Sequence, residues 1–155
     1  MWDIRFWLFF AVVVLMTGLI IAVKKLRFID VQIIIMAAAL ALACDMLLCK
    51  QFGLYNWGRD EYRGWYSFWA NLFIVPAWGF IFIKFLPKTI KRVIAYIFAW
   101  TALSTLFELF IARPLGIVFY HGWNIALYST IGYFLFLICI YAYYRVMLRQ
   151  YGRLQ

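Results

Sequence analysis

Residues 6–23 read FWLFFAVVVLMTGLIIAV, eighteen positions without a charge. At 1.5 Å per residue a helix of that length spans roughly 27 Å, close to the hydrocarbon thickness of a bilayer. A helix apolar on every side cannot be covered by a small soluble domain, so lipid is the solvent this stretch requires. The run stops at Lys24, Lys25 and Arg27, where cationic side chains reach the headgroups. With its basic cluster after the apolar stretch and no small-residue cleavage site, the segment is expected to be a retained helix and not a signal peptide.

The rest of the chain follows the same rule. Its 155 residues are 68% hydrophobic and 23% aromatic and only 14% are charged, a composition suited to lipid and not to water. Further apolar runs occupy 31–48, 67–85, 93–112 and 125–146. The expected fold class is therefore all-α, a polytopic membrane protein with five transmembrane helices forming a single membrane domain over residues 1–155. Its two longer connections, 51–66 and 113–124, are rich in Trp and Tyr, which favour the headgroup zone. Pro76, inside the third run, is expected to kink its helix.

A net charge of +9 does not point to nucleic acid, because the basic residues punctuate the apolar runs and form no patch. Cys44, Cys49 and Cys139 form no CxxC pair and have too few histidine companions for zinc, so no metal or other cofactor is expected. Counting Lys and Arg on alternate sides gives ten on the side of Lys24, Lys84 and Arg145 and five on the side of Arg5, Lys50, Arg59, Arg63 and Arg113. The positive-inside rule then places the N-terminus outside and the C-terminus in the cytoplasm of a plasma membrane, with both aromatic loops facing outward.

Two segments read alike: DMLLCKQFGLYNW from Asp45 and ELFIARPLGIVFYHGW from Glu108. Asp45 and Glu108, Lys50 and Arg113, and Gly53 and Gly116 are each separated by 63 positions. With small loop shifts, Tyr55 and Trp57 correspond to Tyr120 and Trp123, and Tyr66-Ser67 to Tyr128-Ser129. The second and third helices are thus expected to be duplicated, in parallel orientation, as the fourth and fifth.

The two acids are the residues that need explaining. A carboxylate at the bilayer centre costs about 2.5–3.5 kcal/mol, so it faces other helices or a wet cavity. Helical spacing aligns Thr101, Ser104 and Thr105 with Glu108, and Ala38 and Ala41 with Asp45 and Cys49, so both acids are expected to look inward. Lys50 lies about 140° around an ideal helix from Asp45, which favours crossed pairs, Asp45 with Arg113 and Glu108 with Lys50. His121, the only histidine, falls on the same side. Two carboxylates with an imidazole would suit a transition metal or proton transfer, although a headgroup-level histidine is the simpler expectation. Asn71, Tyr120, Trp123 and Tyr128 complete the polar groups available to a ligand there.

The pattern of Glu108, Gly116, Tyr120, Trp123, Tyr128 and Ser129, echoed at Asp45, Gly53, Tyr55 and Trp57, resembles a family of small uncharacterised multi-pass membrane proteins of spore-forming Firmicutes. The resemblance covers helices two to five and implies a bacterial plasma-membrane protein without assigning it an activity. An acidic pair of the PxEE type is absent, which separates the chain from membrane-bound carotenoid cyclases. No strict catalytic motif is present either. The leading expectation is a protein that binds a lipid, a small amphiphile or a partner helix at an outward-facing polar cluster, with the bilayer as its surroundings and a homo-oligomer or membrane partner as a further option. The alternatives are an enzyme acting on a lipid or isoprenoid with Asp45 and Glu108 as acid and base, and a small oligomeric transporter.

Overall fold

The computed structural model describes residues 3–58 and 64–151. Arg59, Arg63 and Arg153, which entered the count of basic residues, lie outside the described residues. Five helices are long and apolar enough to cross a membrane: α1 (Ile4–Lys24), α2 (Phe28–Gln51), α3 (Trp65–Lys84), α4 (Ile90–Ala112) and α5 (Ile125–Tyr151). Each extends the expected apolar run at one or both ends, because capping residues and amphipathic ends that are too polar for the membrane core still continue the backbone hydrogen bonding. Asp3 starts α1 by accepting the Arg5 N–H at 3.2 Å. Asp30, in the first turn of α2, accepts the Arg27 N–H at 2.8 Å.

Position in the bundle follows composition. Helix α1, the most apolar, has only 11% of its membrane window buried within the protein, whereas α3 has 67%. Helix α3 is therefore the central element, packed on α1, α2 and α5. It approaches α2 closely at Gly79, where an added Cβ would stand 3.3 Å from Ala37 Cβ. Of the alanines expected to let backbones approach, Ala41 is buried with Asp45 and Cys49, whereas Ala38 is half-buried and the close contact is made by its neighbour Ala37.

Four wide, π-helical turns interrupt these helices: Met46–Gln51 ending α2, Ala70–Ile74 within α3, Glu108–Ala112 ending α4, and Ile125–Ser129 opening α5. In them the N–H reaches back five residues, as from Arg113 to the Glu108 carbonyl at 2.9 Å and from Val75 to Ala70. The wide turn in α3 ends immediately before Pro76, which sits in the first turn of the regular helix that follows. The irregularity anticipated at proline is thus a widened turn preceding it. Gly53 and Gly116 follow the ends of α2 and α4 with φ of 62° and 68°, a left-handed conformation suited to glycine just beyond a helix.

Helices do not account for the whole chain. Tyr55–Trp57 (β1) and Val118–Tyr120 (β2) pair as an antiparallel ribbon, with Tyr55 opposite Tyr120, Asn56 opposite Phe119 and Trp57 opposite Val118. The two aromatic loops read as headgroup-zone connections on one side are therefore also hydrogen-bonded to one another. Flanking bonds from Gly58 N–H to the Ile117 carbonyl at 2.8 Å and from His121 N–H to the Leu54 carbonyl at 2.9 Å extend the ribbon at both ends.

The opposite end of the bundle is held by charge. Asp30, fully buried, accepts from the Arg27 guanidinium at 3.1 Å and from Lys84 Nζ at 2.6 Å. Lys84 Nζ also donates to the Lys25 carbonyl at 2.9 Å, tying the end of α3 to the α1–α2 connection. Asp30 precedes the apolar run 31–48 and is the first-turn acid of α2, three places after Arg27, a capping position. Removing one partner of a buried pair strands the other charge at a cost of about 3–5 kcal/mol. Asp30→Ala should therefore lower the stability of the purified protein by about that much, measured by denaturation in detergent, and adding Lys84→Met should restore more than half of the loss.

Candidate functional site: a cavity beneath the ribbon

The two longer connections become a roof because a strand alternates its side chains. Tyr55 and Trp57 of β1, and Val118 and Tyr120 of β2, face one side and line a cavity of about 230 Å³ between the helices. Asn71 and Trp78 of α3, Ser104 and Glu108 of α4, and Ser129 and Tyr133 of α5 contribute its walls. Phe9 and Val13 of α1 and Ala41 and Cys44 of α2 close the apolar sides.

Glu108 is the organising side chain. It is 5% exposed and begins the wide turn that ends α4. Its Oε1 accepts from the Tyr120 hydroxyl at 2.6 Å and from Ser129 Oγ at 2.5 Å. Its Oε2 accepts from the Tyr133 hydroxyl. One carboxylate thus connects α4, the ribbon and α5, each bond a charge-assisted one. The neighbouring stripe behaves as expected: Thr101, Ser104, Thr105 and Glu108 are all buried. Ser104 Oγ accepts from Trp78 Nε1 at 2.8 Å, and Thr105 Oγ1 meets Thr130 Oγ1 at 3.1 Å, so the stripe joins α4 to α3 and to α5.

Asp45 is buried to the same degree but differently supplied. Its Oδ1 has no hydrogen-bond partner among the described residues. The nearby Tyr55 phenol is pushed well above its ordinary pKa, first by burial and then by the Asp45 charge. Asp45 does not itself line the cavity, which it borders through Tyr55.

The expected crossed ion pairs do not form. The ion pairs among the described residues both belong to Asp30. Lys50 and Arg113 are exposed, and Lys50 Nζ lies 2.5 Å from where a Cβ on Gly64 would stand. The physical reason is local: both bases fall on or beside wide turns, where the angular count of a regular helix no longer applies. Nor does His121 join the acids. It is exposed and its Nε2 stands 3.3 Å from Asn56 Nδ2, and the described residues contain no cluster of three or more His, Cys, Asp or Glu side chains able to hold a metal.

Among the other residues anticipated here, Trp123 donates its Nε1–H to Ser129 Oγ at 2.8 Å and stands 6.0 Å from the Tyr55 ring. Tyr128 is half exposed and packs 5.2 Å from Trp123. Asn71 is 2% exposed, lines the cavity, and its Nδ2 has no partner among the described residues. Trp57, Trp78 and Tyr133 were not singled out as site residues from the sequence. Tyr133 lies four places after Ser129, a helical spacing that marks it as a second hydroxyl on the same face.

Comparison with protein-family models, with curated proteins and with solved structures finds no match to this chain. The functional reading therefore rests on the site itself.

Burial, and then the charge and hydrogen bond of Glu108, hold the Tyr120 phenol far above its ordinary pKa. A phenol raised in the folded state favours folding while it stays neutral, so this contribution is complete below about pH 10 and is lost as pH rises past it, when the unfolded chain ionises first. Alkaline titration followed by tyrosinate absorbance should show Tyr120, identified by difference with Tyr120→Phe, ionising after the exposed tyrosines. Glu108→Gln should bring that ionisation to lower pH. An unchanged Tyr120 titration in Glu108→Gln would contradict the assigned cause.

Proposed function

We propose that this chain is a plasma-membrane protein that holds a small amphiphile in the cavity beneath its ribbon. The observation carrying this reading is the pairing of a half-open, largely aromatic and apolar space with a few polar groups fixed at its wall, the usual composition of a small-molecule site. Glu108 and its three hydroxyl donors form the anchored polar side, and apolar side chains of α1 and α2 receive a chain or ring.

The twofold likeness of the halves supports an origin by duplication. Each half runs from a helix that ends in a wide turn, through one strand of the ribbon, into a helix whose outer part is again wide. Tyr55 and Tyr120, paired in sequence by their place after the acids, are opposite one another in the ribbon. In this reading α1 is the unduplicated helix, and the resemblance to small membrane proteins of spore-forming Firmicutes accounts for the motif at Glu108 to Ser129.

Binding is better supported than catalysis by an Asp45 and Glu108 pair. The Asp45 carboxylate stands outside the cavity lining, and Glu108 already receives three hydroxyl hydrogen bonds. For orientation we adopt the twofold excess of basic residues on the side of Lys24, Lys84 and Arg145, with the ribbon facing outward.

Native mass spectrometry of protein released from nanodiscs should reveal a bound amphiphile. A Cβ at Gly132, in the cavity wall, meets nothing within 4 Å, so the position accepts a side chain and Gly132→Leu adds bulk to the lining. It should reduce the bound species at least tenfold while leaving Tm within a few degrees. Equal occupancy in wild type and variant would sink the binding site as drawn. For orientation, a green fluorescent protein fused after Gln155 should fluoresce, whereas alkaline phosphatase fused there should be inactive; the reverse pattern would invert the topology.

A further inference from the structure

Among the described residues Glu108 is the only charged side chain in the cavity lining, and it has no ion-pair partner there. Asp45, behind Tyr55, has none either. Two carboxylates buried to 5% exposure therefore flank this end of the bundle with no ion pair to a cation among the described residues. Charge buried in a low-dielectric surrounding is costly until paired, and the basic side chains nearest in sequence, Lys50 and Arg113, are exposed.

What surrounds the space favours a cation for a second reason. Ten of the twenty-three lining residues are aromatic, among them Trp57, Trp78, Trp123, Tyr120 and Tyr133. Aromatic faces attract organic cations through the ring quadrupole, most strongly where water is excluded. Hydroxyl donation to Glu108 does not itself engage the faces of the tyrosine rings, because those bonds use only the phenol oxygens.

A third observation bears on the rest of the headgroup. Asn71 Nδ2 and Trp57 Nε1 both belong to buried donors in the lining and have no acceptor among the described residues. The corresponding groups of the second hairpin are satisfied internally: Trp123 Nε1 by Ser129, and the Tyr133 hydroxyl by Glu108. The first hairpin thus presents unpaired donors where the second presents a filled network.

Resting on the amphiphile reading, we propose that the occupant is an alkylammonium amphiphile whose cationic nitrogen sits against Glu108 and the aromatic wall, with an ether, ester or hydroxyl oxygen accepting from Asn71 and Trp57. A free long-chain amine and a choline or ethanolamine lipid headgroup share this chemistry. An anionic amphiphile meets Glu108 with like charge, and a plain alcohol leaves the carboxylates unpaired.

The test uses the full chain in nanodiscs of dimyristoylphosphatidylglycerol, which contain no ammonium lipid. Decyltrimethylammonium, 1-decanol and decyl sulfate are titrated below their micellar concentrations, followed by tryptophan fluorescence and by the rise in Tm. The ammonium compound should bind at least tenfold more tightly than decanol, and the sulfate should not bind measurably. Glu108→Gln should reduce that advantage to less than threefold. Trp123→Leu, which leaves the buried carboxylate in place, should reduce it severalfold with little change for decanol. Decanoylcholine binding more tightly than decyltrimethylammonium, with the difference lost in Asn71→Leu, would support the oxygen contact, and equal binding of the two would overturn it. Diheptanoylphosphatidylcholine competing as well as the simple ammonium would identify a lipid headgroup as the source, and failure to compete would identify a free amine, the cationic assignment holding in both cases. Equal affinity for ammonium and alcohol, or preference for the sulfate, would overturn the cationic assignment while leaving an amphiphile site. Binding of none of these compounds would instead remove the amphiphile reading on which it rests.

Discussion

The hydrogen bonding of Glu108 is the constraint on which the ribbon end of this protein depends. A carboxylate on a membrane-spanning helix cannot be left to lipid, and no cationic side chain among the described residues pairs with it. Three hydroxyls take that role, from Tyr120 on the ribbon and from Ser129 and Tyr133 on α5. Supplying them requires that the connection after α4 fold back over the bundle and that α5 present two hydroxyls four residues apart. The cavity follows from the same arrangement, since the ribbon that carries Tyr120 inward also carries Tyr55, Trp57 and Val118 over the space.

The two ends of the bundle meet the problem of buried charge in different ways. At the basic end Asp30 is paired with Arg27 and Lys84, and the result is a closed clamp among α1, α2 and α3. At the ribbon end Glu108 is surrounded by neutral donors and aromatic rings, Asp45 lies behind Tyr55, and space remains. Paired charge with no space suits a structural joint. Unpaired charge beside an aromatic-walled space suits a site that is completed by something it binds. The wide turns belong to this second end, where they offset the helices enough to place Asn71, Glu108 and Ser129 around one volume.

Much of the framework was legible because its causes are local or additive. Run length and composition locate five spans, and three-and-four spacing aligns Thr101, Ser104, Thr105 and Glu108 on a face that is indeed buried. Ala41 and Asp45 were legible on α2 for the same reason. The same angular reasoning failed for Lys50 and Arg113, because a wide turn changes the number of residues per revolution and apolar sequence does not announce where one occurs. Asp30 was missed through treating a charge as the boundary of an apolar run, when it was the first-turn acid of the helix.

By itself the sequence determined that the chain lives in lipid, how many times it crosses, and that two acids must be sheltered from the hydrocarbon, since each follows from transfer energies of residues taken in order. Only the tertiary structure decided what shelters them. The pairing of Tyr55–Trp57 with Val118–Tyr120 joins segments more than sixty residues apart, and its register determines which aromatic rings face inward. That register depends on where α2 and α4 end and on how α3 packs between its neighbours, which no local pattern of hydrophobicity specifies.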